Sequence, residues 1–263
     1  MSIVRIENLN EKGIEVYASL TEHELRNREG TGFIIVESPK VIRTALSEGY
    51  EPVSLLCEEK HISGDAAEII KYVPDLTVYT GSREILAKLT GYKLTRGVLC
   101  AMRRPLSSHP DSICENGKRM AVIEAVCDTT NIGSIFRSAA ALGFDGILLT
   151  PDSCDPFNRR SIRVSMGSVF KIPWAICSDP VELLKKHGFS TIALALEKDS
   201  LPIDSPLLMA NEKIALVLGT EGDGLSQNII AKCDYKAIIP MFRHIDSLNV
   251  GSAAAIAFWQ FRK

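Results

Sequence analysis

The sequence has no long apolar stretch. No run in its 263 residues approaches the ~20 apolar residues that a membrane-crossing helix needs. The N-terminus, Met1-Ser2-Ile3-Val4-Arg5-Ile6, carries no apolar signal segment. Paired cysteines are missing as well. Cys57, Cys100, Cys114, Cys127, Cys154, Cys177 and Cys233 are odd in number, form no C-x-x-C pair and sit partly inside apolar runs. That argues against a disulfide framework or a zinc site and for free thiols in a reducing compartment, so a cytoplasmic location is expected. No cluster of metal-ligating residues occurs, and no metal is expected. There is no excess of one charge. The net charge of −2 excludes indiscriminate coating of nucleic acid and leaves room for a local basic patch. Internal repeats and low-complexity tracts are also absent.

What is present describes a well-packed α/β chain. Hydrophobic residues make up 46% of it, enough for a sizeable core, and the length suits two domains. In the first hundred residues, strands are expected at Gly32–Val36, Val53–Cys57, Leu76–Tyr79 and Gly97–Met102. Helices are expected at Pro39–Leu46, Gly64–Tyr72 and Ser82–Leu89, with Pro39 opening the first and Ser82 capping the last. This alternation indicates a small α/β domain over residues 1–104. Residues 105–118 are rich in Pro, Ser, Asn and Gly and read as a linker. A second domain is expected over residues 119–263. Its strands, Met120–Val126, Gly146–Leu149, Ile172–Ile176, Thr191–Leu196, Ile214–Leu218 and Ala237–Pro240, are nearly continuous apolar runs, as in a parallel sheet covered on both faces. Its helices are expected at Ile132–Leu142, Ser161–Val169, Pro180–Lys186, Leu225–Ala231 and Leu248–Phe261.

Three segments of the second half place polar or glycine residues at the ends of apolar runs, where open α/β sheets bind ligands. In the first, Asn131-Ile132-Gly133-Ser134-Ile135-Phe136-Arg137, Gly133 permits close backbone approach and Asn131 can cap the helix. Arg137 stays protonated, which makes it a poor base and a good bidentate phosphate ligand. In the second, Leu218-Gly219-Thr220-Glu221-Gly222-Asp223-Gly224-Leu225-Ser226, three glycines bare backbone donors to a ligand. The turn has neither the Lys-Ser/Thr of a P-loop nor G-x-G-x-x-G spacing. Glu221 would repel a phosphate and suits a cationic ligand, or it complements a helix N-terminus. The third runs Ile239-Pro240-Met241, then residues 242–246, then Ser247-Leu248-Asn249-Val250. Ser247 or Asn249 can cap the last helix, whose small-residue run allows close packing. Arg159, Arg160 and Arg163 form a basic stretch suited to an RNA backbone or to a solvated helix face. Arg103, Arg104, Lys118 and Arg119 would extend it.

The order and spacing of the three segments resemble the motifs of the SpoU/TrmH-type RNA ribose 2′-O-methyltransferases, a branch of the SPOUT superfamily. The resemblance covers residues 118–263 and, more weakly, the first hundred. It implies a largely parallel sheet with a deep C-terminal trefoil knot, preceded by a ribosomal-protein-like α/β/α domain that binds RNA. The segments Phe33 to Lys40 and Thr95 to Ala101 resemble the start and end of that domain. It implies S-adenosyl-L-methionine as cofactor, held by Leu218, Gly219, Ile239, Pro240, Met241 and Leu248. Asn131, Arg137, Glu221, Ser247 and Asn249 would form the reaction centre, and Arg159, Arg160 and Arg163 would contact RNA. It further implies a homodimer through the C-terminal domain and an RNA partner, with ribosomal RNA favoured over transfer RNA. A non-catalytic RNA-binding protein of the same fold is the alternative. The sequence departs from the pattern at Thr129 (often proline), Arg243 (often glycine) and Gly251 (often serine). His244 stands in the unusual segment 242–246 as a weak candidate base.

Overall fold

A computed structural model describes residues 2–18, 24–25, 32–94, 97–220, 222, 224–243 and 247–262. Its internal contacts divide the chain into two units. One comprises Met1–Leu106 and Phe157–Arg163, the other Ser107–Pro156 and Val164–Lys263. The segment 157–163, which the sequence assigns to the second domain, is thus grouped with the first.

The first unit holds a five-stranded sheet built from β1 (Ser2–Arg5), β2 (Phe33–Glu37), β3 (Pro52–Glu58), β4 (Thr77–Gly81) and β5 (Val98–Arg103), in the order β1-β4-β3-β5-β2. β1, β4 and β3 run parallel, and β5 runs antiparallel to both β3 and β2. Helix α1 (Pro39–Ser47) starts on Pro39 and buries Val41, Ile42, Ala45 and Leu46, an i, i+1, i+4 stripe that faces the core. Helix α2 covers Ala67–Tyr72 and α3 covers Arg83–Thr90. α3 is capped by Ser82 Oγ, which accepts from the Ile85 amide at 3.3 Å, and it ends at Gly91 in the left-handed conformation, φ 78°. Tyr17 is fully buried; its hydroxyl donates to the Ser54 carbonyl and accepts from the Ala101 amide. The periodicity misses β1 because its residues are mostly exposed and form no apolar run.

The second unit is a seven-stranded, all-parallel sheet: β6 (Arg119–Ile123), β7 (Gly146–Leu149), β8 (Trp174–Ile176), β9 (Ser190–Leu194), β10 (Leu201–Pro202), β11 (Ile214–Leu218) and β12 (Tyr235–Ile238). The order is β10-β12-β9-β11-β6-β7-β8. Register brings the strand ends level: Leu218 pairs with Ile123, Val217 with Ala193, and Leu194 with Ala237. The loops after β6, β9, β11 and β12 therefore open at one edge of the sheet.

The expected linker contains a helix, α4 (Pro110–Glu115), whose Ile113 and Cys114 are buried in the second unit's core beside Met120, Val122 and Leu148. A side chain at Gly146 would strike Ile113 Cγ2 at 2.3 Å, so α4 seats directly on the start of β7. Its Pro and Asn are helix-end residues and not linker residues. Helix α5 spans Thr129–Ala141. The expected helix Ser161–Val169 is shorter: α6 (Arg159–Val164) stops where Met166 and Gly167 take positive φ, and a tighter turn follows at Ser168–Phe170. Helices α7 (Pro180–Lys186), α8 (Pro206–Met209), α9 (Gln227–Lys232) and α10 (Val250–Gln260) complete the unit. The two-residue β10 and four-residue α8 are too short for periodicity to reveal. Among the described residues no helix is long and apolar enough to cross a membrane, and no group of three or more metal-ligating side chains forms.

Candidate active site

The site assembles where the loops after β6, β11 and β12 meet. Asp128 caps α5, its Oδ1 accepting from the amides of Thr130 (2.8 Å) and Asn131 (2.9 Å). The expected capping role of Asn131 therefore falls to Asp128. Asn131 sits in the first turn with its backbone donor taken, and its side chain turns inward, 8% exposed. Asn249 caps α10, with Oδ1 accepting from the Gly251 and Ser252 amides. Its Nδ2 donates to Asn131 Oδ1 at 2.9 Å. The first and third segments, 118 residues apart, are thus joined side chain to side chain. Gly251 makes the approach possible: a Cβ there would lie 3.0 Å from Ser134 Oγ. Arg137 lies on the same helix and is exposed. Six residues advance an α-helix by ~600°, so it points about a third of a turn away from Asn131, out into solvent.

Beside this junction lies a cavity of about 510 Å³ bounded by the ends of β9, β11 and β12. Of the residues expected to hold a cofactor, Leu218, Gly219, Ile239, Met241 and Leu248 line it, together with Ser247. Pro240 does not line it and is exposed. Glu221 and His244 lie outside the described residues, as do residues 95–96 and 245–246. In the glycine turn the Thr220 amide donates to the Gly224 carbonyl at 3.0 Å. Gly222 and Gly224 take positive φ, 96° and 69°. Gly219 is required for space: a Cβ there would fall 2.3 Å from the Gly224 carbonyl oxygen. Arg243, at the position where glycine is common, adopts φ 59°, the left-handed region that glycine enters without strain.

Two polar residues of the cavity escape sequence reasoning. Glu197 and Gln227 both line it, and Gln227 Nε2 donates to Glu197 Oε1 at 3.0 Å. The signal was available, because Glu197-Lys198-Asp199-Ser200 follows the apolar run of β9 just as the other segments follow theirs.

The basic residues separate. Arg159 stacks its guanidinium 5.5 Å over the Tyr92 ring, and Arg163 lies 3.8 Å from the buried Glu37 carboxylate, all within the first unit. Arg160 is exposed. Arg103 and Arg104 stack on Phe33 and Phe157, also in the first unit. Arg119 belongs to the second unit's framework: it donates to the Phe261 and Glu212 carbonyls, while Lys118 pairs with Glu212.

A parallel sheet with a cavity at its strand ends, walled by a glycine turn and a C-terminal loop, is the arrangement of an α/β protein built to bind a small ligand, and its likeness to solved methyltransferases gives it the SPOUT methyltransferase fold. The crystal structure of an AdoMet-bound rRNA methyltransferase from Sinorhizobium meliloti superposes with a TM-score of 0.83 over 98% of this chain and 97% of that one, at 23% identity. The SpoU methyltransferase AviRb from Streptomyces viridochromogenes superposes with a TM-score of 0.77 over 94% and 93%, also at 23% identity. A tRNA/rRNA methyltransferase of Mycobacterium bovis, described as uncharacterized, is 34% identical over 88% of this chain and 81% of its own. RlmP of Bacillus subtilis, a 23S rRNA (guanosine(2553)-2′-O)-methyltransferase, is 27% identical over 91% of this chain and 92% of its own. Residues 118–259 match the SpoU rRNA methylase family.

The chain belongs to the SpoU rRNA methylase family and is an RNA methyltransferase that uses S-adenosyl-L-methionine. The cavity fits that cofactor. Its volume lies within the ~300–1,000 Å³ of small-molecule sites. Leu218, Ile239 and Leu248 offer apolar walls for an adenine, and Gly219 lines the cavity with backbone atoms alone. Glu197 is the one charged side chain among the described lining residues, and it suits a ligand rich in hydrogen-bond donors and carrying positive charge.

Proposed function

We propose that the protein methylates a ribose 2′-hydroxyl of ribosomal RNA. The observation that carries this reading is the Asn249–Asn131 hydrogen bond, which sets the start of α5, with Arg137 beyond it, against the loop that walls the cavity. When bound, S-adenosyl-L-methionine supplies a methyl group on cationic sulfur. Ile239, Met241 and Leu248 exclude water from around it, and the backbone at Leu218 and Gly219 meets its polar edges. Asn131 and Asn249 hold each other in one orientation at the reacting edge, with Ser247 beside them. Arg137 grips a phosphate next to the target ribose and favours loss of the hydroxyl proton electrostatically. The hydroxyl proton would pass to solvent water, and the positive Arg137 beside the ribose would favour the oxygen left behind. Holding both partners at attack distance supplies much of the rate.

Ribosomal RNA is favoured by the similarity to RlmP, which covers nearly the whole of both chains. The first unit serves as the RNA-binding domain, with Arg160 and Arg163 outward and Arg159 fixed on Tyr92. The C-terminal segment is threaded as a trefoil knot, and two copies pair through α10, whose Ile256 and Trp259 are exposed. Seven free thiols favour a cytoplasmic setting.

The test is transfer of labelled methyl to total RNA, followed by alkaline hydrolysis. A 2′-O-methyl group blocks cleavage at its own position, so label is expected in dinucleotides that come from ribosomal RNA. Label confined to mononucleotides would mean base methylation and end the proposal.

A further inference from the structure

We infer that Glu197, braced by Gln227, accepts hydrogen bonds from the ribose diol of the adenosyl cofactor. The inference rests on the cofactor reading of the cavity and adds to it a residue that sets nucleoside recognition. Glu197 is half-buried at the cavity wall, and its loop is held shut by Ser200. That hydroxyl donates to the Ala195 carbonyl at 2.8 Å and accepts from the Glu197 amide at 3.3 Å, while the Ser200 amide donates to the Glu197 carbonyl at 3.1 Å. Two residues on, Asp199 is neutralised by Lys236 at 2.6 Å. Glu197 has no such cation among the described residues; its one side-chain partner is the neutral amide of Gln227. That bond uses Glu197 Oε1 and the Gln227 amino group. Glu197 Oε2 and Gln227 Oε1 remain as neighbouring acceptors.

Sheet order places these acceptors. β9 lies on the far side of β11 from β6, and adjacent strands are ~4.8 Å apart. The loop that leads into α5 and Asn131 follows β6, so Glu197 stands about two strand spacings from the reacting edge. Leu218, Ile239 and Leu248, the walls suited to adenine, belong to β11 and the segment after β12. The nucleoside half therefore lies over β9 and β11. There a carboxylate and an amide oxygen side by side match two vicinal hydroxyl donors, the same chemistry by which an acidic residue holds a ribose in dinucleotide sites.

Calorimetric titration tests this without reference to turnover. S-adenosylhomocysteine and 5′-methylthioadenosine are titrated into the wild type, Glu197→Ala and Glu197→Gln, with melting curves to confirm folding. Losing a hydrogen bond to a charged group weakens binding about 10- to 100-fold. Both ligands are expected to weaken by the same factor in Glu197→Ala and by less in Glu197→Gln. A 2′-deoxy analogue of methylthioadenosine should bind the wild type more weakly and lose little further in Glu197→Ala. An unchanged methylthioadenosine affinity would assign the carboxylate to the amino-acid ammonium and overturn the inference. A deoxy analogue that loses as much as its parent would assign it to the adenine amine, with the same result. Binding to the wild type with no loss in Glu197→Ala refutes the inference alone; no binding to the wild type refutes the cofactor reading together with it.

Discussion

Asn249 performs two tasks with one side chain. Its oxygen caps α10 and its amide nitrogen holds Asn131, and two substitutions separate these tasks. Serine at a helix cap is about as good as asparagine, so Asn249→Ser keeps the cap and loses the donor to Asn131. Asn249→Ala loses both. The alanine variant should be less stable than the serine variant by about 1 kcal/mol, and both should show a similar fall in methyl transfer of about tenfold or more. Melting curves and single-turnover rates measure the two effects. A serine variant with the wild-type rate would reduce the asparagine pair to a structural contact. At this scale the sequence was readable in part. Ser82 and Asn249 stand where caps are needed and act as caps. Asn131 did not, because the helix already starts at Thr129 with Asp128 as its cap, which puts Asn131 inside the first turn.

Single elements owe their placement to polar ties as well as to apolar runs. Asp234, just before β12, accepts from both the amide and the hydroxyl of Thr191 on β9 at 2.8 Å and meets Lys185 of α7 at 2.9 Å. Partial burial works against its charge, but the Thr191 hydrogen bonds and the Lys185 ammonium outweigh that and hold its carboxyl below the usual aspartate range. A carboxylate with a lowered folded-state pKa stabilises the fold above the unfolded value, near ~3.9, and loses that contribution as pH falls through the folded value. The melting-temperature gap between wild type and Asp234→Asn should hold steady from neutral pH to about pH 4 and then close. A gap independent of pH would show that the charge contributes nothing. Elements such as α4 were hidden for a related reason. Pro110, Asp111, Ser112 and Asn116 look like linker residues, and only the contact of Ile113 with the start of β7 shows the segment to be core.

For the molecule as a whole, both units bury cysteines in their interiors. Burial, with Glu58 adding to it, pushes the Cys57 thiol up to about 12, and burial raises Cys100 further still. Cys114 is raised to about 11, again mainly by burial. Cys127 is exposed. Thiol reactivity follows thiolate content and access, so brief maleimide treatment of the native protein should label Cys127 first and leave Cys57, Cys100 and Cys114 until denaturation. Peptide mapping by mass spectrometry reads the order. Labelling of Cys57 and Cys100 at the rate of Cys127 would contradict the packing of the first unit.

Local pattern determined a great deal by itself. Continuous apolar runs set the central strands β6, β9 and β11, a capping side chain or a proline set most helix starts, and glycines marked the turn at 219–224. These are short-range effects, written in neighbouring residues. Tertiary structure alone decided that Asn249 reaches Asn131, that Glu197 shares the cavity with Gln227, that Pro240 is left out of the cavity wall, and that residues 157–163 join the first unit. Such pairings depend on which strands lie side by side and how their ends align, and no periodicity within a single segment encodes its neighbours across the sheet.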